Sequence, residues 1–239
     1  RHTLRGALSV FGGDGNPGDI LVSQGSTTVP MWVSAASLVP TLKYYAEDAT
    51  APITAPMVTA GTSGVAIGDG AVSDAAYAMT FGANSINTAS NAAVVGNGNQ
   101  MSADKGAIVG IGNILTGSGA FLVGKDNSLY NYTESSAIGL YNTGTGTSQS
   151  MFLAGNTNSL GLGNLVDSQI IGNNNQVQND LYYTQILGNT NTISPTTKLN
   201  SIVGSFNTLT SGDVTGIFGY NNIINTSNAF AIGKDLTTI

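Results

Sequence analysis

Cysteine is absent from the 239 residues, and charge is scarce: Asp, Glu, Lys and Arg together make up 8% of the chain, against roughly 25% in ordinary soluble domains. The first absence excludes a disulfide scaffold and a thiolate metal site, and leaves the redox compartment open. The second implies a surface of Asn, Ser, Thr and Gly, a composition suited to structural proteins outside cells. Seven basic residues stand against thirteen acidic ones, for a net charge of -6. Neither nucleic acid nor an anionic membrane is therefore an expected partner, because neutralising phosphates takes clustered Lys and Arg. The single histidine, His2, removes Ser-His-Asp triads from the body of the chain, together with His-cluster metal sites. No apolar run approaches the roughly 18 residues that cross a bilayer, so no membrane insertion is expected, and no signal peptide is visible.

What the chain has instead is glycine at a fixed period. A pair of largely apolar residues followed by glycine recurs twelve times, at Gly68, Gly82, Gly96, Gly110, Gly124, Gly139, Gly155, Gly172, Gly188, Gly204, Gly219 and Gly233. The spacing runs from 14 to 17 residues, too short for helical or propeller repeats and right for a solenoid coil. Nine consecutive phrases carry asparagine three residues after the glycine: Asn99, Asn113, Asn127, Asn142, Asn158, Asn175, Asn191, Asn207 and Asn222. Two residues further on, an apolar residue follows in every coil but one, which has Gly144.

These features predict an all-β fold, a single-chain parallel β-roll of about twelve coils over residues 61–239, each coil holding two short strands and two tight turns. Glycine suits the corner because it reaches positive φ without a Cβ clash, and asparagine tolerates such positions next best. Stacked in register, the asparagines can also bond to one another along the stack, as amide ladders do in cross-β assemblies. The later apolar residue, alternating with polar neighbours such as Gln100, Ser128, Gln176 and Thr192, marks a strand with one face in a core and one in water.

In the first strand both residues before the glycine are apolar in eleven coils, Thr80 being the exception. Neighbouring strand residues point to opposite faces, and a thin roll buries only one of them, so something else must cover the other. With no helical layer legible in the sequence, a further copy of the chain is the simplest cover, and Ile170 and Ile202 are expected near the assembly axis. Phe81, Phe121, Phe152, Phe218 and Phe230 fall in the same strand, and the phenylalanines are expected in the core.

The stretch Gly64-Val65-Ala66-Ile67-Gly68-Asp69-Gly70-Ala71, followed by Met79-Thr80-Phe81-Gly82, resembles the head repeat of the YadA-like trimeric adhesins and similar rolls in bacteriophage tail fibres. The resemblance spans the repeat region; the chain departs from the adhesin wording in its asparagines and its longer coils. It implies a left-handed roll that assembles as a homotrimer, without enzymatic activity or cofactor, on a host-attachment fibre. The chain starts at Arg1 rather than methionine, as a processed product or a piece of a longer protein would, and Lys234 to Ile239 carry no membrane anchor. From this we expect a virion fibre rather than a bacterial cell-surface adhesin.

Residues 1–60 lie outside the repeat and read as a small β module, with strands at Leu8–Phe11, Ile20–Ser23 and Met31–Val33 and one or two helical turns within 34–47. The wording Gly18-Asp19-Ile20-Leu21-Val22-Ser23-Gln24-Gly25 with Pro30-Met31-Trp32 is similar to a stretch of phage tail-fibre proteins, which implies attachment to a fibre or baseplate neighbour. Gly13 to Gly18 matches G-x-G-x-x-G but leads into Ile20-Leu21-Val22 rather than a helix, so no dinucleotide site is expected. Gly12-Gly13-Asp14-Gly15 matches part of a calcium nonapeptide without a tandem copy. Gly119 to Lys125 matches G-x-x-x-x-G-K with Asp126 in place of Ser or Thr, inside a repeat strand.

The coils that swell to 15–17 residues carry their additional residues at 130–135, 145–150, 161–168, 178–184 and 194–200, expected as an outward bulge along one edge. Glu134, Asp167 and Asp180 fall on that edge; were they to meet, they would supply the acid pair of a glycan-cleaving tailspike. The same insertions hold Tyr130, Tyr132, Tyr182 and Tyr183. Their flat rings and polar tips mark them as the candidate contacts to a host-surface glycan or protein.

Overall fold

A computed structural model describes residues 16, 19–22, 31–34, 54–59, 63–161, 163–194, 197–210, 213 and 215–238. The chain divides into two compact units, Arg1–Ala51 and Pro52–Ile239. In the first, Asp19–Val22 and Met31–Ser34 pair antiparallel, with Leu21 opposite Trp32. The Asn16 amide donates to Asp19 Oδ2 at 2.8 Å and its carbonyl accepts from the Asp19 amide at 2.9 Å, a reciprocal turn that opens the first strand. The strand expected at Leu8–Phe11, the glycine motifs apart from Asn16, and the helical turns expected after Ser34 lie outside the described residues.

The second unit is a parallel β-solenoid of about eleven turns, with no helix among the described residues. Its first ladder has twelve strands stacked in chain order, from Val65–Ile67 to Phe230–Lys234. The register sets like on like: Gly96 pairs with Gly110, Gly110 with Gly124, Gly124 with Gly139 and Gly139 with Gly155. Eleven strand-to-strand steps separate its ends by about 50 Å. The second ladder begins at Met57–Val58, paired with Val72–Ser73, so regular stacking is already in place before residue 61.

Alternation decides which member of each apolar pair fills the roll. Val94, Ile108, Leu122, Leu153, Ile170, Ile186, Ile202 and Ile217 are buried, and face Met101, Leu115, Leu129, Leu160, Val177, Ile193, Leu209 and Ile224 from the second ladder in one core. Ile170 and Ile202 are therefore core residues of a single chain rather than axis residues of an assembly. The outward member of the pair is its neighbour, Ile171 beside Ile170. The phenylalanines also depart from expectation: Phe81, Phe121, Phe218 and Phe230 are exposed by 37–65%, because all of them stand on outward positions of the strand. Thr80 breaks the apolar pattern at an inward position, where its Oγ1 lies 2.8 Å from Ser73 Oγ and donates to the Val72 carbonyl. The first coils thus have a small polar core whose groups satisfy one another.

Among the described residues, the additional residues of the long coils do not bulge. Ser128–Thr133, Thr147–Gln149, Asn164–Val166, Leu181–Tyr182 and Thr197–Lys198 stack as a third parallel ladder. Its backbone groups find partners in adjacent coils, and Tyr132, Ser148, Leu165 and Leu181 point into the core. A loose bulge would leave these backbone groups to water and the apolar side chains exposed; a wider coil satisfies both. The shorter coils fill the same corner with Ala89 and Ala103. Widening starts where Tyr132 pairs with Gly117 across a shift of register.

Candidate functional site

The asparagines form an internal spine. The Asn113 backbone and side-chain amides both donate to Asn99 Oδ1 at 3.0 Å, and Asn113 Nδ2 donates a second bond to the Gly124 carbonyl at 2.8 Å. Asn127 repeats this on Asn113 and Gly139, and Asn175, Asn191 and Asn207 continue it. Ser85 opens the spine, accepting from the Asn99 amide and donating to the Gly96 carbonyl; at the other end the Leu236 amide donates to Asn222 Oδ1. All nine asparagines are buried with their polar groups satisfied, so the spine holds the fold and offers nothing to a ligand.

Asparagine does not serve here because it tolerates positive φ. The left-handed position is the residue before it, occupied by Asp126, Tyr141, Thr157, Asn174, Thr190, Phe206 or Asn221 at φ of 53–59° and by Gly98 and Gly112 in two coils. The repeat glycines do require their identity. A Cβ on Gly110 would lie 1.7 Å from the Gly124 carbonyl oxygen and 2.8 Å from Asn113 Nδ2, at φ of 144°. Gly96 and Gly124 meet the carbonyl of the next coil in the same way.

The four tyrosines separate. Tyr130 stands on the outer face of the second ladder, 39% exposed, beside Thr116, Ser102 and Ile114. Tyr183 occupies a left-handed corner at φ 51° and is 59% exposed. Tyr182 lies on the outer face of the third ladder, with Lys198 Nζ 5.9 Å from its ring centroid. Tyr132 is no contact residue: it points inward and is 1% exposed. Its hydroxyl has no hydrogen-bond partner, and burial pushes its pKa up. Its ring fills the place that the apolar column leaves at Gly144, where a Cβ would come 2.0 Å from Tyr132 Oη and 2.7 Å from Cζ.

Tyr182 belongs to a shallow groove of about 380 Å³ on the outer face of the third ladder, lined also by Thr133, Thr147, Ser148, Gln149, Asn164 and Val166. Thr147 Oγ1 donates to Asn164 Oδ1 at 2.9 Å, and the Asn164 amide donates to Asp180 Oδ1. That bond keeps Asp180 at the start of its strand, whereas Glu134 and Asp167 are exposed on left-handed corners at the far end of theirs. Ser150 occupies the corner between Glu134 and Asp167, so the three carboxylates are not gathered. Among the described residues no group of three His, Cys, Asp or Glu could hold a metal ion. Lys125, the lysine of the G-x-x-x-x-G-K match, ends a strand and pairs with Asp126 at 3.7 Å, without a helix to follow.

A second surface was only half legible in the sequence. The outward member of each apolar pair stacks into one column: Ile67, Phe81, Val95, Val109, Val123, Ile138, Ala154, Ile171, Leu187, Val203, Phe218 and Ile232. It is apolar in all twelve coils, and eight of its members are exposed by 37–67%. The column beside it is mixed, with Ser136 between Phe121 and Phe152, then Gln169, Gln185 and Ser201, and Phe230 at its end. Compared with protein-family models and with curated proteins, the chain matches none.

Proposed function

We propose that the chain is a non-enzymatic fibre module of a virion tail fibre, in which three copies pack side by side through the outward apolar column and present their other face to a host-surface receptor. The observation that carries this reading is the unbroken column itself. Twelve stacked apolar side chains about 50 Å long form a stripe of the kind monomeric proteins rarely expose, and only a partner of the same length and period covers it without gaps. A parallel copy of the same chain is that partner. Threefold closure rests on the resemblance to the YadA-like heads, as does the placement outside the cell. The first unit, with its antiparallel pair, serves to join a neighbouring fibre or baseplate component.

Mass measurement in solution tests the assembly. The wild-type chain is expected as a trimer, and Val109→Asp, which places three carboxylates at the axis, is expected to dissociate it while the β-sheet circular dichroism persists. Ile170→Asp, by contrast, puts a charge in the core of one chain and is expected to unfold the coils around it. A wild-type chain that stays monomeric at high concentration overturns the proposal. Incubation with purified host polysaccharide separates this fibre from a cleaving one, since release of reducing ends requires an acid pair.

A further inference from the structure

We infer that the groove on the third ladder is a binding site for a neutral oligosaccharide laid along the stacking axis, with Tyr182 as its platform. This deepens the receptor-binding reading above and takes from it only that the chain attaches to a surface. The third ladder exists only in the widened coils, so the groove is confined to the middle of the solenoid, on a different ladder from the apolar column. Its lining is hydroxyl and amide: Thr133, Thr147, Gln149 and Asn164, with Val166 and Tyr182 toward one end. None of the lining side chains is charged, in a protein of net charge -6. An anionic ligand would meet one neighbouring cation, Lys198 at the Tyr182 ring, offset by Asp180 beside Asn164.

The occupant is further defined by repeat and shape. Equivalent side chains on successive coils stand about 4.8 Å apart, close to the advance of one sugar unit along an extended chain. Thr147 spends its hydrogen on Asn164 Oδ1, which leaves its oxygen free to accept, while Asn164 Nδ2 and the Gln149 amide remain to donate and Gln149 also to accept. Sugar hydroxyls, which both donate and accept, match such a set. Tyr182 is half-buried, and Lys198 over its ring at 5.9 Å steadies the ring from the neighbouring coil. Val166 in the coil before gives it an apolar neighbour. A flat ring beside a small apolar side chain suits the C–H face of a pyranose. A peptide would instead seek an unpaired strand edge, and the ladder here pairs with coils on both sides.

The test is titration of the full chain, in its native assembly, with linear tetrasaccharides of glucose, galactose, N-acetylglucosamine and glucuronic acid, followed by saturation-transfer NMR and calorimetry. At least one neutral member is expected to bind with Kd below about 10 mM. Tyr182→Ala should weaken it by about tenfold or more, while Tyr182→Phe retains it. Tyr130→Ala and Tyr183→Ala, outside the groove, should leave it unchanged. Absence of binding by every neutral member, preference for the glucuronic acid chain, or full binding by a folded Tyr182→Ala variant overturns the assignment. If the panel fails but the chain still attaches to cells, and protease treatment of those cells abolishes attachment, the receptor is a protein: the groove is overturned and the fibre reading stands. If the chain attaches to no cell either, both fail.

Discussion

Replacing Asn142 with alanine measures what the internal spine contributes. Four hydrogen bonds go: Nδ2 to Asn127 Oδ1 at 2.9 Å and to the Gly155 carbonyl at 2.8 Å, and those Oδ1 accepts from the Asn158 amide at 3.1 Å and Asn158 Nδ2 at 2.9 Å. Asn127 Oδ1 keeps the Asn142 backbone amide, and Asn158 Nδ2 keeps the Gly172 carbonyl. The Gly155 carbonyl and the Asn158 amide lose the bonds that Asn142 supplied. With about 1 kcal/mol net for each of the two bonds whose other partner stays satisfied and roughly 1–3 kcal/mol for each of the two orphaned groups, the loss comes to about 4–8 kcal/mol. That is a large part of the stability of an ordinary domain. Coils of a solenoid couple mainly to their neighbours, so the damage should be local: hydrogen exchange should accelerate across the coils of Asn127, Asn142 and Asn158 before it does near Asn207. Urea unfolding at fixed protein concentration gives the total. The exposed Asn156→Ala is the control, since Asn156 Oδ1 accepts a single bond, from the Leu140 amide at 3.1 Å, and its loss should cost about 1 kcal/mol or less. If Asn142→Ala costs no more than this control, the spine is a consequence of stacking and not a cause of it.

Tyr132→Phe removes a buried hydroxyl that has no partner and is expected to be neutral or stabilising by about 1 kcal/mol. It should also change the alkaline limit. Burial raises the folded pKa of Tyr132, so above the ordinary tyrosine value of about 10 the unfolded chain releases a proton that the folded one keeps, and wild-type stability falls as pH rises. In the Phe variant this part of the decline should vanish; identical alkaline melting curves for the two proteins would count against burial of the phenol. Gly144→Leu alone should destabilise by more than about 3 kcal/mol through its clash with the Tyr132 ring, and Tyr132→Ala by about 3–5 kcal/mol through the cavity it leaves. The double variant should recover a good part of both losses, and strict additivity in a double-mutant cycle would show that the two positions do not share one space.

Period and architecture were legible in the sequence because every coil writes the same phrase. Gly96, Gly110 and Gly124 are held to glycine by the carbonyl of the next coil, and that steric demand has no substitute. Facing was harder to read. Alternation says that Ile170 and Ile171 point opposite ways, but only the neighbouring ladder, through Val177 and Asn175, fixes Ile170 as the one that turns in. The asparagines misled because their propensity for positive φ is real but unused: stacking imposes the left-handed corner on whatever precedes them, including Tyr141 and Phe206. The burial of Tyr132 did leave a trace. Gly144 is the one gap in an otherwise apolar column, and a gap of that kind calls for a large side chain from the adjacent coil. The groove left no trace of its own, since it depends on the insertions forming a ladder rather than a bulge.

The sameness of the contacts above and below each coil bears on how such a chain can change over generations. Asn113 meets Asn99 on one side and Asn127 on the other through the same pair of bonds to Oδ1, and the coils from Gly96 to Gly124 are 14 residues each. A duplication or deletion of one whole coil here would remake every bond it broke and shift the length by one strand spacing, about 4.8 Å. Added single residues are taken up only in the third ladder, as in the coils of 15–17 residues; within the strand that runs up to the glycine, one residue more or less would set an outward side chain against the core. Length in this solenoid is therefore inherited in whole steps, and its reach can be altered without redesigning any coil.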